Sequence, residues 1–154
     1  MEETNKVVLD TQDIKKLSSY YLNEGRKQET WQIDQVMIDD MTLEAQISMI
    51  SRYLSSTDNN EFHLTIFAAL EFLSQLMIVY AHIWAERKEK VGEGWMVESS
   101  MKSTRVIRDP DNILVSMTVD KIRERGANLY CIASYKITDP QGGLMEVRLK
   151  GFLT

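Results

Sequence analysis

The sequence holds a single cysteine, Cys131. No disulfide can close within the chain and no cysteine-built metal site can form. A reducing, cytoplasmic setting fits that usage. The two prolines, Pro110 and Pro140, both lie in turn chemistry and interrupt no long element. The two histidines, His63 and His82, stand too far apart along one segment to chelate one ion, so no metal is implied. There is no Gly-rich phosphate loop and no Gly-x-Ser-x-Gly. Lys and Arg are not expected to gather into a stripe and the net charge is −5, which disfavours a nucleic-acid partner. The opening Met1-Glu-Glu-Thr-Asn-Lys6 has no basic stretch before an apolar one, so no signal peptide is expected. Repeats, heptads and low-complexity tracts are absent as well.

What is present suits one globular domain spanning 1–154. The chain is 44% hydrophobic and 27% charged, close to the globular average, and is long enough to bury a core. Phe62 to Trp84 is long and largely apolar, but carries His63, Glu71, Ser74, Gln75 and His82. An ionised Glu at a bilayer centre costs about 2.5–3.5 kcal/mol or more. Basic flanks sit only at the far end, in Arg87-Lys88. No membrane span is expected. A helix over 62–86, apolar nearly all round, must instead be wrapped by protein.

Around that helix the periods are short. Residues 1–25 hold a short amphipathic helix over Asp10 to Leu22, with Gly25 as a stop. Trp31 to Ile38 and Leu43 to Leu54 alternate as strands, the second with Leu43, Ala45, Ile47 and Met49 on one face. After Gly94 the period is two. Trp95, Val97, Ser99, Met101 and Ser103 alternate, as do Ile113 to Val119 and Leu129 to Ile137. Asp139-Pro-Gln-Gly-Gly143 is a hairpin turn, and Met145, Val147 and Leu149 close the sheet. A long helix between early strands and a later antiparallel meander is buried if the sheet curls around it. That is the hot-dog architecture, an α+β fold. Its exposed edge would pair with a second copy, giving a homodimer or a higher homo-oligomer.

The polar residues of the helix share one side. At about 100° per residue, Ser74, Glu71, His82 and Gln75 fall within about 120° of His63, with Thr65 opposite. Unpaired buried polar groups cost several kcal/mol, so the stripe needs partners. It faces a substrate cleft between subunits, or it bonds the partner subunit or water. Glu71 in an apolar cleft would serve as a general base. The bland alternative is a solvated Glu, or one paired with Arg52, Arg105 or Arg108. His63, at the expected helix start, lies where free amides favour developing negative charge; otherwise it caps or packs. Cys131 reads as core. The nine methionines suit an acyl-chain tunnel or an ordinary core.

The run His63-Leu-Thr-Ile-Phe-Ala-Ala-Leu-Glu-Phe-Leu-Ser-Gln-Leu76 resembles the helix entry of the FcoT-like long-chain fatty acyl-CoA thioesterases, which are hot-dog proteins. Tyr53-Leu-Ser-Ser-Thr57 resembles their Tyr-Ile-Arg-Ser-Thr, and Asp139 to Gly143 their turn of the Asp-x-x-Gly-Gly kind. The resemblance implies a site of tyrosines and asparagines. Tyr53 and Tyr21 match the tyrosines, and Thr65 and Ser74 stand where that family has asparagines. Glu71-Phe-Leu-Ser-Gln75 is also similar to the Glu-x-x-x-Gln of hot-dog 3-hydroxyacyl-carrier-protein dehydratases, whose His-Phe-Pro-Gly loop is missing here. The expected activity is hydrolysis of a fatty acyl-CoA or acyl-carrier-protein thioester, without a cofactor. Glu71, His63 and Tyr53 are the catalytic candidates. Tyr21, Asn60, Thr65, Ser74 and Gln75 are the substrate-binding ones. A dehydratase or a non-catalytic acyl-thioester-binding dimer are the alternatives.

Overall fold

A computed structural model describes residues 6–19 and 29–154. Tyr21 and Gly25 lie outside the described residues. The elements are α1 (Thr11–Leu17), β1 (Thr30–Asp39), β2 (Thr42–Ser51), a 3-10 turn (Ser56–Asp58), α2 (Ile66–Trp84), β3 (Gly94–Arg105), β4 (Ile113–Arg125), β5 (Asn128–Thr138) and β6 (Leu144–Leu153). The strands form one antiparallel sheet in the order β1-β2-β4-β5-β6-β3. The order dictates where the helix lies. After β2 the chain must reach the far edge of the sheet before β3 can pair with β6, and α2 makes that crossing over one face.

The alternating strands supply the covering. Leu43, Ala45, Ile47 and Met49 of β2 are all buried. So are Ile113, Val115, Met117 and Val119 of β4, and Leu129 to Ile137 of β5 at every second position. They meet Ala68, Ala69, Phe72, Leu73, Leu76, Met77 and Tyr80 of α2 in one core. Tyr135 reaches from the sheet to donate to the Leu73 carbonyl at 3.2 Å. This is the expected α+β arrangement of a sheet on one long helix.

Three details depart from the sequence pattern. The helix starts at Ile66 rather than at residue 62, because Leu64 uses its N–H on the Ile107 carbonyl at 2.9 Å and Thr65 caps. It ends at Trp84 rather than 86, where Glu86 turns left-handed at φ 55°. In β3 an irregularity between Met96 and Glu98 inserts an unpaired Val97. Ser99, Met101 and Ser103 therefore pair with the inward-facing Leu149, Val147 and Met145, while Trp95 pairs with Phe152 on the outer face.

The sheet covers one side of α2 and leaves the other open within the protomer. Ile66, Phe67, Val79, Ile83 and Trp84 are exposed, with Glu71 and Gln75 among them. α2 is long and apolar enough to cross a membrane, and about half of it is buried against the sheet instead. β3 is exposed along nearly its whole length, on both faces.

Candidate active site

Three connections converge at the start of α2. The segment after β2 brings Asp58, the β3–β4 connection brings Arg108, and the β5–β6 turn brings Asp139. Arg108 grips Asp58 through both guanidinium nitrogens, Nη1 to Oδ2 at 2.6 Å and Nη2 to Oδ1 at 3.1 Å. Asp58 Oδ2 also lies 3.1 Å from His63 Nδ1. Arg108 lies 3.4 Å from the Phe62 carbonyl and 3.6 Å from Glu61. The Arg108 hydrogen bond holds the Asp58 carboxyl below the usual carboxylate range, against the smaller opposing effect of burial. The same bond raises the pKa of Arg108. An ionised Asp58 can only accept, so His63 Nδ1 donates to it. In the neutral ring Nε2 is then an acceptor. A carboxylate that fixes the tautomer of an imidazole is the geometry of a general base.

Asp139 holds Arg108 in place from behind. Its Oδ2 accepts from the N–H groups of Arg108 at 2.8 Å and Asp109 at 2.9 Å, and its Oδ1 from Gly143 at 2.7 Å. Burial works to raise its pKa, but these backbone donors outweigh burial and hold it low. Gly143 is required there, because an added Cβ would lie 2.7 Å from Ile107.

The second group sits on the open face of α2. Glu71 is exposed in the protomer, and its Oε1 accepts from the Trp31 indole at 3.1 Å. Trp31 in turn packs edge-on against Phe72, with ring centres 6.0 Å apart. Ser74 donates to the Glu71 carbonyl at 2.7 Å. Gln75 is exposed one residue further on. Beside them opens a cavity of about 270 Å³, with Met77 and Ile78 of α2, Met96 of β3 and Gly151 of β6 among its lining. The apolar enclosure expected around Glu71 would require another chain over this face.

His63 and Glu71 do not share one helix. His63 belongs to the loop before α2, and Glu71 lies ~9 Å along the axis from the Thr65 cap at 1.5 Å per residue. Thr65 is buried, and its hydroxyl accepts from the Ala68 N–H at 3.2 Å as the helix cap. Asn60 is exposed in a left-handed turn, φ 54°, and borders a groove with Arg52 and Arg108. Tyr53 is half-buried in the segment leaving β2. His82 leaves the polar stripe. It is buried, its Nδ1 donates to the Ile78 carbonyl at 2.8 Å, and its Nε2 accepts from the Val91 N–H at 3.2 Å. Of the arginines weighed as partners for Glu71, Arg108 binds Asp58 and Arg105 donates to the Gly142 carbonyl at 2.6 Å. Burial pushes the Cys131 thiol up to about 12, as befits a core position. Among the described residues no three metal-ligating side chains come together.

The sequence matches no protein-family model and no curated protein. Solved structures are similar in fold. A hypothetical thioesterase from Streptococcus pneumoniae TIGR4, solved with coenzyme A, superposes with a TM-score of 0.53 at 12% identity, covering 81% of this chain and 89% of that one. The protein smu.793 of Streptococcus mutans UA159, bound to acetyl-CoA, gives 0.53 at 11% identity over 87% and 96%. The dehydratase heterocomplex ApeI:P of Xenorhabdus doucetiae gives 0.54 at 14% identity over 79% and 82%. The fold they share with this chain is the hot-dog fold.

Proposed function

We propose that this hot-dog protein is a thioesterase that hydrolyses a fatty acyl-CoA or acyl-carrier-protein thioester as a homodimer. The observation that carries the proposal is the placement of Glu71, Ser74 and Gln75. They form a polar island on the open apolar face of α2, beside a cavity of about 270 Å³. A second copy laid over this face would enclose Glu71 without displacing the sheet. The exposed apolar side chains of α2 and the unpaired edge of β3 are what such a copy would cover. The likeness of the His63 to Leu76 run to the FcoT-like enzymes supports the same activity.

In this mechanism the acyl chain enters the apolar cavity and the thioester carbonyl lies against α2. Glu71 takes a proton from water as the water oxygen attacks the carbonyl carbon. The tetrahedral oxyanion is met by donors near the helix start. Its collapse breaks the C–S bond, the proton passes to the departing thiolate, and a free acid and a thiol leave. His63, held by Asp58, is the alternative base, and Tyr53 is the third catalytic candidate. Tyr21, Asn60 and Thr65 are the further substrate-binding residues of this proposal. No cofactor is required, because hydrolysis moves no electrons between reactants.

Release of free thiol across a series of acyl-CoA chain lengths tests this directly. Glu71→Gln should lower kcat by about 100-fold or more with little change in KM, since a general base contributes 10²–10⁴-fold. Unchanged turnover in the folded variant removes Glu71 from the mechanism. The Glu71-x-x-x-Gln75 pair and the fold of the dehydratase complex favour one second reading, dehydration of a 3-hydroxyacyl thioester. Enoyl absorbance without thiol release would select it. A ligand-induced rise in Tm with neither product would mark a non-catalytic binding dimer.

A further inference from the structure

The apolar core is in two parts. One holds Met77 of α2 and Cys131 of β5. The other is small and consists of Ala81 of α2, Leu129 of β5 and Leu153 of β6. All five line the cavity of about 270 Å³ that separates the two parts. Protein interiors are close-packed, with few voids larger than a water molecule, so a break of this size within a core marks room for a guest. The cavity has a direction. Gln75, one turn beyond Glu71, is exposed and stands with Ser74 at its mouth. Met77, Cys131 and Gly151 line its middle, and the buried Ala81, Leu129 and Leu153 close its end.

Two glycines make the space. Gly151 interrupts the inward-facing series of Met145, Val147, Leu149 and Leu153 on β6, and Gly94 of β3 pairs with Leu153. Neither has the positive φ that would demand glycine. A Cβ at Gly151 would lie 2.9 Å from the Trp95 carbonyl oxygen and 3.3 Å from Met77 Sδ, and one at Gly94 would lie 2.6 Å from Ile78 Cδ1. Met77 and Ile78 both line the cavity, so either added carbon would crowd it. Glycine weakens the interior of a strand, and its place in β6 is explained by what it leaves open.

We infer that this cavity takes the tail of a medium-chain acyl group, and that Gly94 and Gly151 set the length it admits. From Gln75 to Ala81 the helix advances ~9 Å at 1.5 Å per residue, the span of about eight carbons in an extended chain with C–C bonds of ~1.5 Å. Volume gives a similar answer. A methylene is close in size to a water molecule, whose share of the liquid is about 30 Å³, so the 270 Å³ cavity holds about nine. A long-chain tail would have to displace Ala81, Leu129 and Leu153 from one another. The middle and the end of the cavity are built by one protomer, and a second copy over β3 would roof only Trp95 and Met96 at its side. The inference rests on the thioesterase proposal for the bond broken at the mouth, and narrows the acyl class of that reaction. It parts from the long-chain preference that the resemblance of the His63 to Leu76 run implies.

Titration calorimetry on the full chain with hexanoate, octanoate, decanoate and tetradecanoate tests the pocket without any turnover. All four carry the same carboxylate, so repulsion from Glu71 is common to the series. Affinity should rise about fourfold per methylene up to decanoate, the ratio for a buried CH₂, and level off or fall at tetradecanoate. Gly151→Ala should move the plateau to a shorter acid and weaken decanoate about tenfold, roughly the loss of two buried methylenes, while hexanoate keeps most of its affinity. A merely structural role for Gly151 would weaken every acid alike. Gly94→Ala carries the same expectation if Gly151→Ala does not fold, since its added carbon meets only the end of the flexible Ile78 side chain. Thiol release from acyl thioesters should peak at the same length in kcat/KM and shift with the same substitutions. Affinity that climbs undiminished through tetradecanoate, a plateau left in place by the folded variants, or no binding of any acid would overturn the inference while hydrolysis survived. The expected acid profile without thiol release from any acyl thioester would instead sink the thioesterase proposal and leave the pocket standing.

Discussion

Asp139 shows what a single buried carboxylate does for the site. It satisfies backbone donors from two connections and so fixes the stretch that carries Arg108. Asp139→Asn keeps the shape but replaces one acceptor oxygen by an amino group facing an N–H. The expected cost is about 1.5–3 kcal/mol at pH 7, the range for hydrogen bonds to a charged group, read by urea unfolding. Its folded pKa is depressed, so its contribution is complete above the unfolded value of about 3.9 and fades as pH falls through the folded one. The gap between wild type and variant should therefore close on acidification below about pH 4. The turn around Asp139 was legible, since Asp-Pro-Gln-Gly-Gly is turn chemistry on sight. The Asp58–His63–Arg108 group was not. Arg108 and Asp58 come from different loops, and no local spacing announces a pair joined only by the fold.

At the scale of elements, periodicity carried most of the architecture. The alternation of β2, β4 and β5 and the apolar run of α2 translate directly into the core. What periodicity could not contain was the unpaired Val97, because one extra residue inverts every side chain before it. Helix ends were equally local matters. Thr65 stops the helix from reaching back to Phe62, and Glu86 holds the left-handed position that usually belongs to glycine. Glu86→Gly removes that backbone strain and should stabilise the protein by about 1 kcal/mol, visible as a higher urea midpoint at unchanged slope. A fall in the midpoint would mean that Glu86 contributes more through its side chain than its backbone costs.

For the whole molecule, the open half of α2 and the bare edge of β3 belong together. The α2 face is apolar, and the β3 edge, where the order β1-β2-β4-β5-β6-β3 runs out of strands, exposes Trp95, Met96 and Val97 before the polar stretch from Glu98 to Arg105. The sequence indicated a helix in need of wrapping. It gave no hint of how much one sheet would leave uncovered, which depends on tertiary curvature alone. A charge on the edge opposes strand pairing. If the proposed dimer pairs through this edge, Val97→Lys should shift it to monomer in light scattering after gel filtration, and should lower the proposed hydrolysis with it. A variant that stays dimeric would place the contact elsewhere.

Cys131 is the chain's only sulfhydryl and is 2% exposed in the middle of β5. With its ionisation displaced to about 12, it stays silent toward reagents that capture thiolates. A colorimetric assay for coenzyme A liberated by the proposed reaction therefore meets no background from the folded protein. Any slow uptake of label by the protein itself would instead time the parting of β5 from its neighbours.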